Sequence, residues 1–210
     1  MNRAALRDIV RTQIFDQNSR AFTDDEINLL LNQAQYHIAN LLAGQGAPVM
    51  LEEYEAAVEN PANEPWVLSV PPSKPLRILA AYRTDSGLSS DDKSLGIVDF
   101  KVVLAKPIGT AMSRPNVFLY NDQIGFVRPP VTGFRAKVVY VKAPVEMETD
   151  FDESDLPVQY QGLICTWATV KALMSEAAPE AQTWAAAFAN EAQALGLSTQ
   201  AMRITQEDSR

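Results

Sequence analysis

Phe22-Thr23-Asp24-Asp25-Glu26-Ile27 is a complete helix start written in six residues. The Thr23 hydroxyl is placed to cap the first turn, while Glu26, three positions on, reaches back to the Thr23 amide. Phe22 and Ile27 stand where a hydrophobic staple clasps the incoming chain. Asp24 and Asp25 complement the positive end of the helix dipole. The stretch carries no chemistry of its own. It marks where the architecture begins.

Working outward, Ile27, Leu30, Leu31, Ala34, Ile38, Leu41 and Leu42 recur at three- and four-residue spacing, an apolar stripe along one helix face. Gly44 and Gly46 end that helix. On the N-terminal side, Ala4 to Phe15 reads as a shorter helix with Leu6, Ile9, Val10 and Ile14 on one side. Val49 to Val58 does not settle: its apolar positions fit a short helix, and the prolines Pro61 and Pro65 stop it.

From Trp66 to Lys142 the period changes to that of short strands. Trp66 to Val70 ends at Pro71-Pro72, Leu76 to Tyr82 follows, and Ile97 to Leu104 alternates with Asp99 and Lys101 on the opposite face. Val117 to Tyr120, then Asn121-Asp122, then Gln123 to Val127 reads as a hairpin with a two-residue turn. Ala136 to Val141 is the last strand. Asp150 to Asp155 is an acidic, solvated lead into a third helix at about Pro157 to Ala177. Pro179 opens a fourth, with Trp184, Phe188 and Leu195 on one face and Gly196 as its stop.

Helices at both ends and strands in the middle give an α+β chain: a helical bundle from residues 1–60 and 150–196, and an inserted antiparallel β domain, a small sheet or sandwich, over 61–149. Residues 197–210 form a tail with a few apolar anchors.

The 210 residues, 47% hydrophobic and 21% charged, suit one or two domains with a sizeable core. A net charge of −8 argues against nucleic-acid binding through the overall field, because phosphates need a cationic surface. An acidic wall would leave passing DNA mobile. Neither a signal-peptide h-region nor a run of the roughly 18–20 apolar residues that span a bilayer is present in the sequence. A soluble protein of cytoplasm-like conditions is expected.

Catalytic chemistry finds few residues to work with. His37 is the single histidine and Cys165 the single cysteine, each set in a helix beside core positions, so packing is the expected role of both. The acidic run 150–155 lacks a calcium loop's glycine at its sixth position and its glutamate at the twelfth, where Gln161 stands. Adjacent carboxylates such as Glu52-Glu53 diverge on regular structure. No phosphate-loop, dinucleotide or nucleophile-elbow pattern occurs. Arg128, Arg135, Lys137 and Lys142 cluster on the β region, where a salt-bridged contact surface is the expected use and a nucleic-acid face the lesser alternative. No enzyme, no cofactor and no metal site is expected.

The order of these elements resembles the head-to-tail adaptor (connector) proteins of tailed bacteriophages, the podovirus tail tubular protein A type in particular. Four stretches carry the resemblance: Phe22 to Ile27 with Leu31-Asn32-Gln33-Ala34-Gln35; Val67 to Pro71 leading into Leu76 to Leu79; Tyr120 to Pro130 followed by Val138-Val139-Tyr140; and Leu156-Pro157 with Ala168 to Leu173, Pro179-Glu180-Ala181 and the stop at Gly196. The resemblance implies a ring, commonly of twelve copies, docked under the portal protein at one capsid vertex. It implies a virion neck component assembled in the host cytoplasm. Such a ring continues the DNA channel without sequence-specific binding and supports the tail nozzle protein and tail fibres. It makes Leu197, Met202 and Ile204 candidate portal contacts, and leaves Met1 to Arg20 as a separate short helix free to pack on a neighbouring subunit. The rival expectation is a ligand- or carbohydrate-binding module centred on the β domain.

Overall fold

A computed structural model describes residues 1–16, 21–47, 49–58, 66–84, 94–105, 115–127 and 134–197. The chain divides into two compact units, one of Met1–Ala47 with Pro144–Arg210 and one of Pro48–Ala143. Helices from both chain ends share the first unit, and the second is inserted between them.

The helical unit contains α1 (Arg3–Gln13), α2 (Asp24–Gly44), α4 (Gln161–Ser175) and α5 (Ala181–Ala194), with a 3-10 turn at Val158–Tyr160 before α4. Helix α4 lies at the centre and packs on α1, α2 and α5. That position follows from its sequence, since Leu163, Ile164, Ala168, Val170 and Ala172 leave it apolar nearly all round, and all five are buried. Its buried hydroxyls are satisfied: Thr166 donates to Glu191 at 2.9 Å and Thr169 to Gln13 at 2.6 Å.

Each of these helices ends in a Schellman motif, which returns two orphan carbonyls to hydrogen bonding. In α2 the Ala47 N–H donates to Leu42 and the Gly46 N–H to Ala43, with Gly46 left-handed at φ +68°. Helices α1 and α4 use non-glycine residues at that position, Phe15 at φ +58° and Ala177 at φ +52°.

The β unit holds β1 (Leu51–Val58), β2 (Trp66–Ser69), β3 (Pro75–Arg83), β4 (Gly96–Ile97), α3 (Phe100–Ala105), β5 (Asn116–Tyr120), β6 (Gln123–Val127) and β7 (Phe134–Lys142). A three-stranded sheet runs β1-β7-β3 and a four-stranded one runs β2-β6-β5-β4. Ala56, Ile78, Val138 and Tyr140 of the first sheet share a core with Val117, Ile124 and Phe126 of the second. The hairpin turn is the expected one, with Asn121 and Asp122 both at positive φ, 44° and 63°. Gly125 opposes Phe118 across that hairpin, and a Cβ there would stand 2.1 Å from the Phe118 ring.

Several expectations are corrected. Residues 49–58 do not make a short helix: β1 pairs antiparallel with β7 along its whole length, so the β unit begins at Pro48 and not after residue 60. Tyr54, Ala56 and Val58 share the inward face while Leu51 lies on the exposed one, and a partner strand far along the chain was needed to show which way the period ran. Ile97 to Leu104 is not one strand. Asp99 breaks it by capping α3, its carboxylate accepting the Lys101 N–H at 2.8 Å. The four-stranded sheet is mixed, because β4 runs parallel to β5. Helix α1 is not a separate element awaiting a neighbouring subunit; it packs on α2 and α4 of its own chain.

Candidate functional site

The helical unit must close where the chain returns from the β unit, and side chains of α2 perform that closure. Asn32 accepts the Met147 N–H at 3.0 Å and donates to the Met147 carbonyl at 3.3 Å, as a strand partner would. Gln35 donates to the Val145 carbonyl at 2.8 Å and accepts from the Ser154 hydroxyl at 3.1 Å. The stretch Leu31 to Gln35 therefore has two apolar duties, at Leu31 and Ala34, and two polar ones. Its amides receive the returning backbone, which would otherwise lie on the bundle with unsatisfied groups.

A second seam runs along α1. Arg3, Arg7 and Arg11 sit four residues apart, one above the other on a single helix face. Asp150 bridges Arg3 and Arg7, both at 2.9 Å. Asp24 bridges Arg7 at 3.6 Å and Arg11 at 2.5 Å. Arg11 ends the ladder on buried Asp16 at 3.1 Å. Three cations alternate with three carboxylates, so charge balances locally. The hydrogen bond from Arg7, then that from Arg3, holds the Asp150 carboxyl down to about 2. Backbone joins the seam, with Arg3 N–H donating to the Asp152 carbonyl and Ala4 N–H to that of Asp150.

The acidic run 150–155 is largely exposed, as a solvated lead-in would be, and its aspartates are engaged as well. Asp150 binds the arginines, Asp152 accepts the N–H groups of Glu148 and Thr149, and Asp155 accepts that of Val145. The sequence signal was the arginine spacing in α1, which could have been matched to an acidic partner far along the chain.

The helix-start residues behave as read. Thr23 Oγ1 accepts the Glu26 N–H at 3.3 Å, and Glu26 accepts the Thr23 N–H at 2.8 Å. Phe22 and Ile27 are buried. Asp24 adds a task that capping does not require, its place in the arginine ladder.

Of the candidate portal contacts, Leu197 is 2% exposed. Its N–H donates to the Ala192 carbonyl at 2.8 Å, after left-handed Gly196, so it is the apolar end of the α5 Schellman motif. Met202 and Ile204 lie outside the described residues. Cys165 is buried, and burial pushes its thiol up to about 12. His37 stacks on Trp167 with centroids 5.2 Å apart, and its Nε2 is buried with no hydrogen-bond partner among the described residues. Burial, and secondarily Lys171, lowers its pKa.

On the β unit, Lys137 pairs with Glu53 at 2.6 Å and Arg135 with Glu55 at 3.0 Å, a salt-bridged sheet face. Arg128 lies outside the described residues. The unit also holds an open cleft of about 520 Å³ that sequence reading did not anticipate. Leu76 to Leu79 of β3 form one wall and Ile97 to Phe100 the other, joined by Leu119. Among the described residues no group of histidine, cysteine and carboxylate side chains could hold a metal ion, and no helix is long and apolar enough to cross a membrane.

These features define an α+β chain: a helical bundle built from segments on either side, in sequence, of an inserted β unit, with polar side chains holding the bundle closed. The family model described as SU10 adaptor protein matches residues 1–209, and the chain belongs to that family, one of phage head-to-tail adaptors. No curated protein matches the sequence.

Proposed function

We propose that this chain forms the ring that joins head to tail in a tailed-phage virion. The ring docks on the portal protein, continues the DNA channel and supports the nozzle protein and tail fibres. Twelve copies, assembled in the host cytoplasm, are the expected complement. The observation that carries this reading is the closure of one bundle from both ends of the chain. An adaptor must hold its shape against a moving genome, and the Asn32–Gln35 clasp and the arginine ladder brace the two points where the chain could open.

Charge supports the same role. Twelve copies of a −8 chain carry roughly a hundred negative charges, screened over about 8–10 Å at physiological salt. Acidic groups turned toward a lumen repel phosphate and let DNA slide without adhering. The role asks for no catalysis.

Mixing the purified chain with portal rings and imaging by negative stain tests the proposal. Ring-shaped complexes that add a layer to the portal are expected, and persistent failure to form any would refute it. The rival, a ligand-binding β unit, draws on the open cleft and predicts saturable oligosaccharide binding by calorimetry.

A further inference from the structure

His37 projects from α2 with an aromatic ring from each of two other helices against it. Trp167 of α4 stacks on it with 29° between the planes, and Phe188 of α5 tilts against it with centroids 6.3 Å apart. Its Nε2 is buried and has no hydrogen-bond partner among the described residues. A neutral imidazole serves there as a flat packing surface. An imidazolium does not, because both of its nitrogens carry N–H groups that need acceptors.

The titratable side chains on the helices packed against it supply no acceptor at that nitrogen. They are Cys165 and Lys171 on α4 and Glu191 on α5, with Glu176 and Glu180 at the helix ends between them. Cys165 faces the Leu6 carbonyl of α1 at 3.8 Å and stays a neutral thiol. Glu191 accepts the Thr166 hydroxyl. Lys171 is the group that acts on His37. Its Nζ lies 5.1 Å from the Trp167 centroid, so a charged His37 would be a second cation at a ring that already holds one. Burial first, then Lys171, lowers the His37 pKa accordingly. α2 itself carries its charges at Asp24, Asp25 and Glu26, about three turns earlier.

Which helix yields depends on how firmly each is held. α2 and α4 each bury nine residues, whereas α5 buries three, Ala181, Phe188 and Ala192. α1 also buries three, but the arginine ladder ties it down. α5 packs on α4 and adds the Thr166–Glu191 bond. Phe188 is its largest buried side chain, and that side chain lies against the His37 ring. An element with so little buried surface opens below the free energy of whole unfolding.

We propose that α5 is an acid-released element: protonation of His37 unseats Phe188 and frees α5, while α1, α2 and α4 stay packed. The charged ring then reaches water on the side that α5 covered. Because its pKa is lowered in the closed state, His37 holds α5 fully above about 6.5. The hold weakens by about tenfold per pH unit as pH falls toward the lowered value. The release needs neither a portal nor a second copy.

Hydrogen–deuterium exchange of the full chain, read by mass spectrometry from about pH 7.5 to about pH 5 and corrected for intrinsic exchange, follows this helix by helix. Protection of the amides in Ala181–Ala194 should fall about tenfold per pH unit below about 6.5. Low urea should barely change it, the mark of an opening smaller than whole unfolding. α2 and α4 should keep more protection at every pH. In His37→Phe the α5 profile should be flat, and His37→Gln, which stays neutral, gives the same comparison where phenylalanine packs badly.

α5 protection that ignores pH in the unsubstituted chain, or that falls equally in both His37 variants, overturns the inference. So does loss of protection in α2, α4 and α5 together, which is unfolding of the whole bundle and no release.

Discussion

At position 35 a glutamine that is 1% exposed holds Asn32, the Val145 carbonyl and the Ser154 hydroxyl together. Gln35→Ala leaves those buried groups without partners, which costs about 1–3 kcal/mol per unsatisfied group. A lower urea midpoint at unchanged slope is the expected result. Asp150 gives a pH signature. Its folded carboxyl, near 2, lies below the ordinary carboxylate value, so its contribution is full above about 4 and is lost as pH falls toward 2. Asp150→Asn should therefore flatten the acid limb of the melting temperature over that interval. His37 acts on a different window. Burial lowers its pKa, so its contribution is full above about 6.5 and is lost as pH falls through the lowered value. His37→Phe should remove that dependence below about pH 6.5 while leaving the Asp150 limb in place. The capping residues were legible at this scale because a capping box is local. Gln35 was legible only as a helix residue, since its partners lie more than a hundred positions away.

Among the elements, the helix stops and the hairpin offer the clearest contrasts. Ala177 holds a left-handed φ of +52° at the end of α4, where an L side chain is strained and glycine is not. Ala177→Gly should raise stability by about 0.5–1 kcal/mol, read as a higher melting temperature. Gly125 works the other way. A Cβ there meets the Phe118 ring, so Gly125→Ala should lower stability by about 1–3 kcal/mol through overpacking. The turn at Asn121-Asp122 was readable because its two residues tolerate positive φ. β1 and α3 were not. A short apolar run has no period of its own strong enough to choose between helix and strand, and β1 was decided by β7 while α3 was decided by the Asp99 cap.

At the scale of the whole chain, belonging to the adaptor family was legible from the order of its landmarks, helix start, hairpin and proline-opened helices, more than from any one of them. The portal-mixing experiment belongs here, as does the expectation that arginine-ladder variants such as Arg7→Ala loosen α1 and lower the yield of rings counted in negative stain. By itself the sequence determined the α+β class, the capped start of α2, the hairpin turn and the scarcity of catalytic side chains, because each depends on spacing within a dozen residues or on composition. The tertiary structure alone decided that the returning segment rests on Asn32 and Gln35 and that three arginines of α1 meet Asp150, Asp24 and Asp16. It alone decided that Leu76 to Leu79 and Ile97 to Phe100 line one cleft. Those arrangements join residues up to 147 positions apart, and no local period records which distant partner will satisfy a buried polar group.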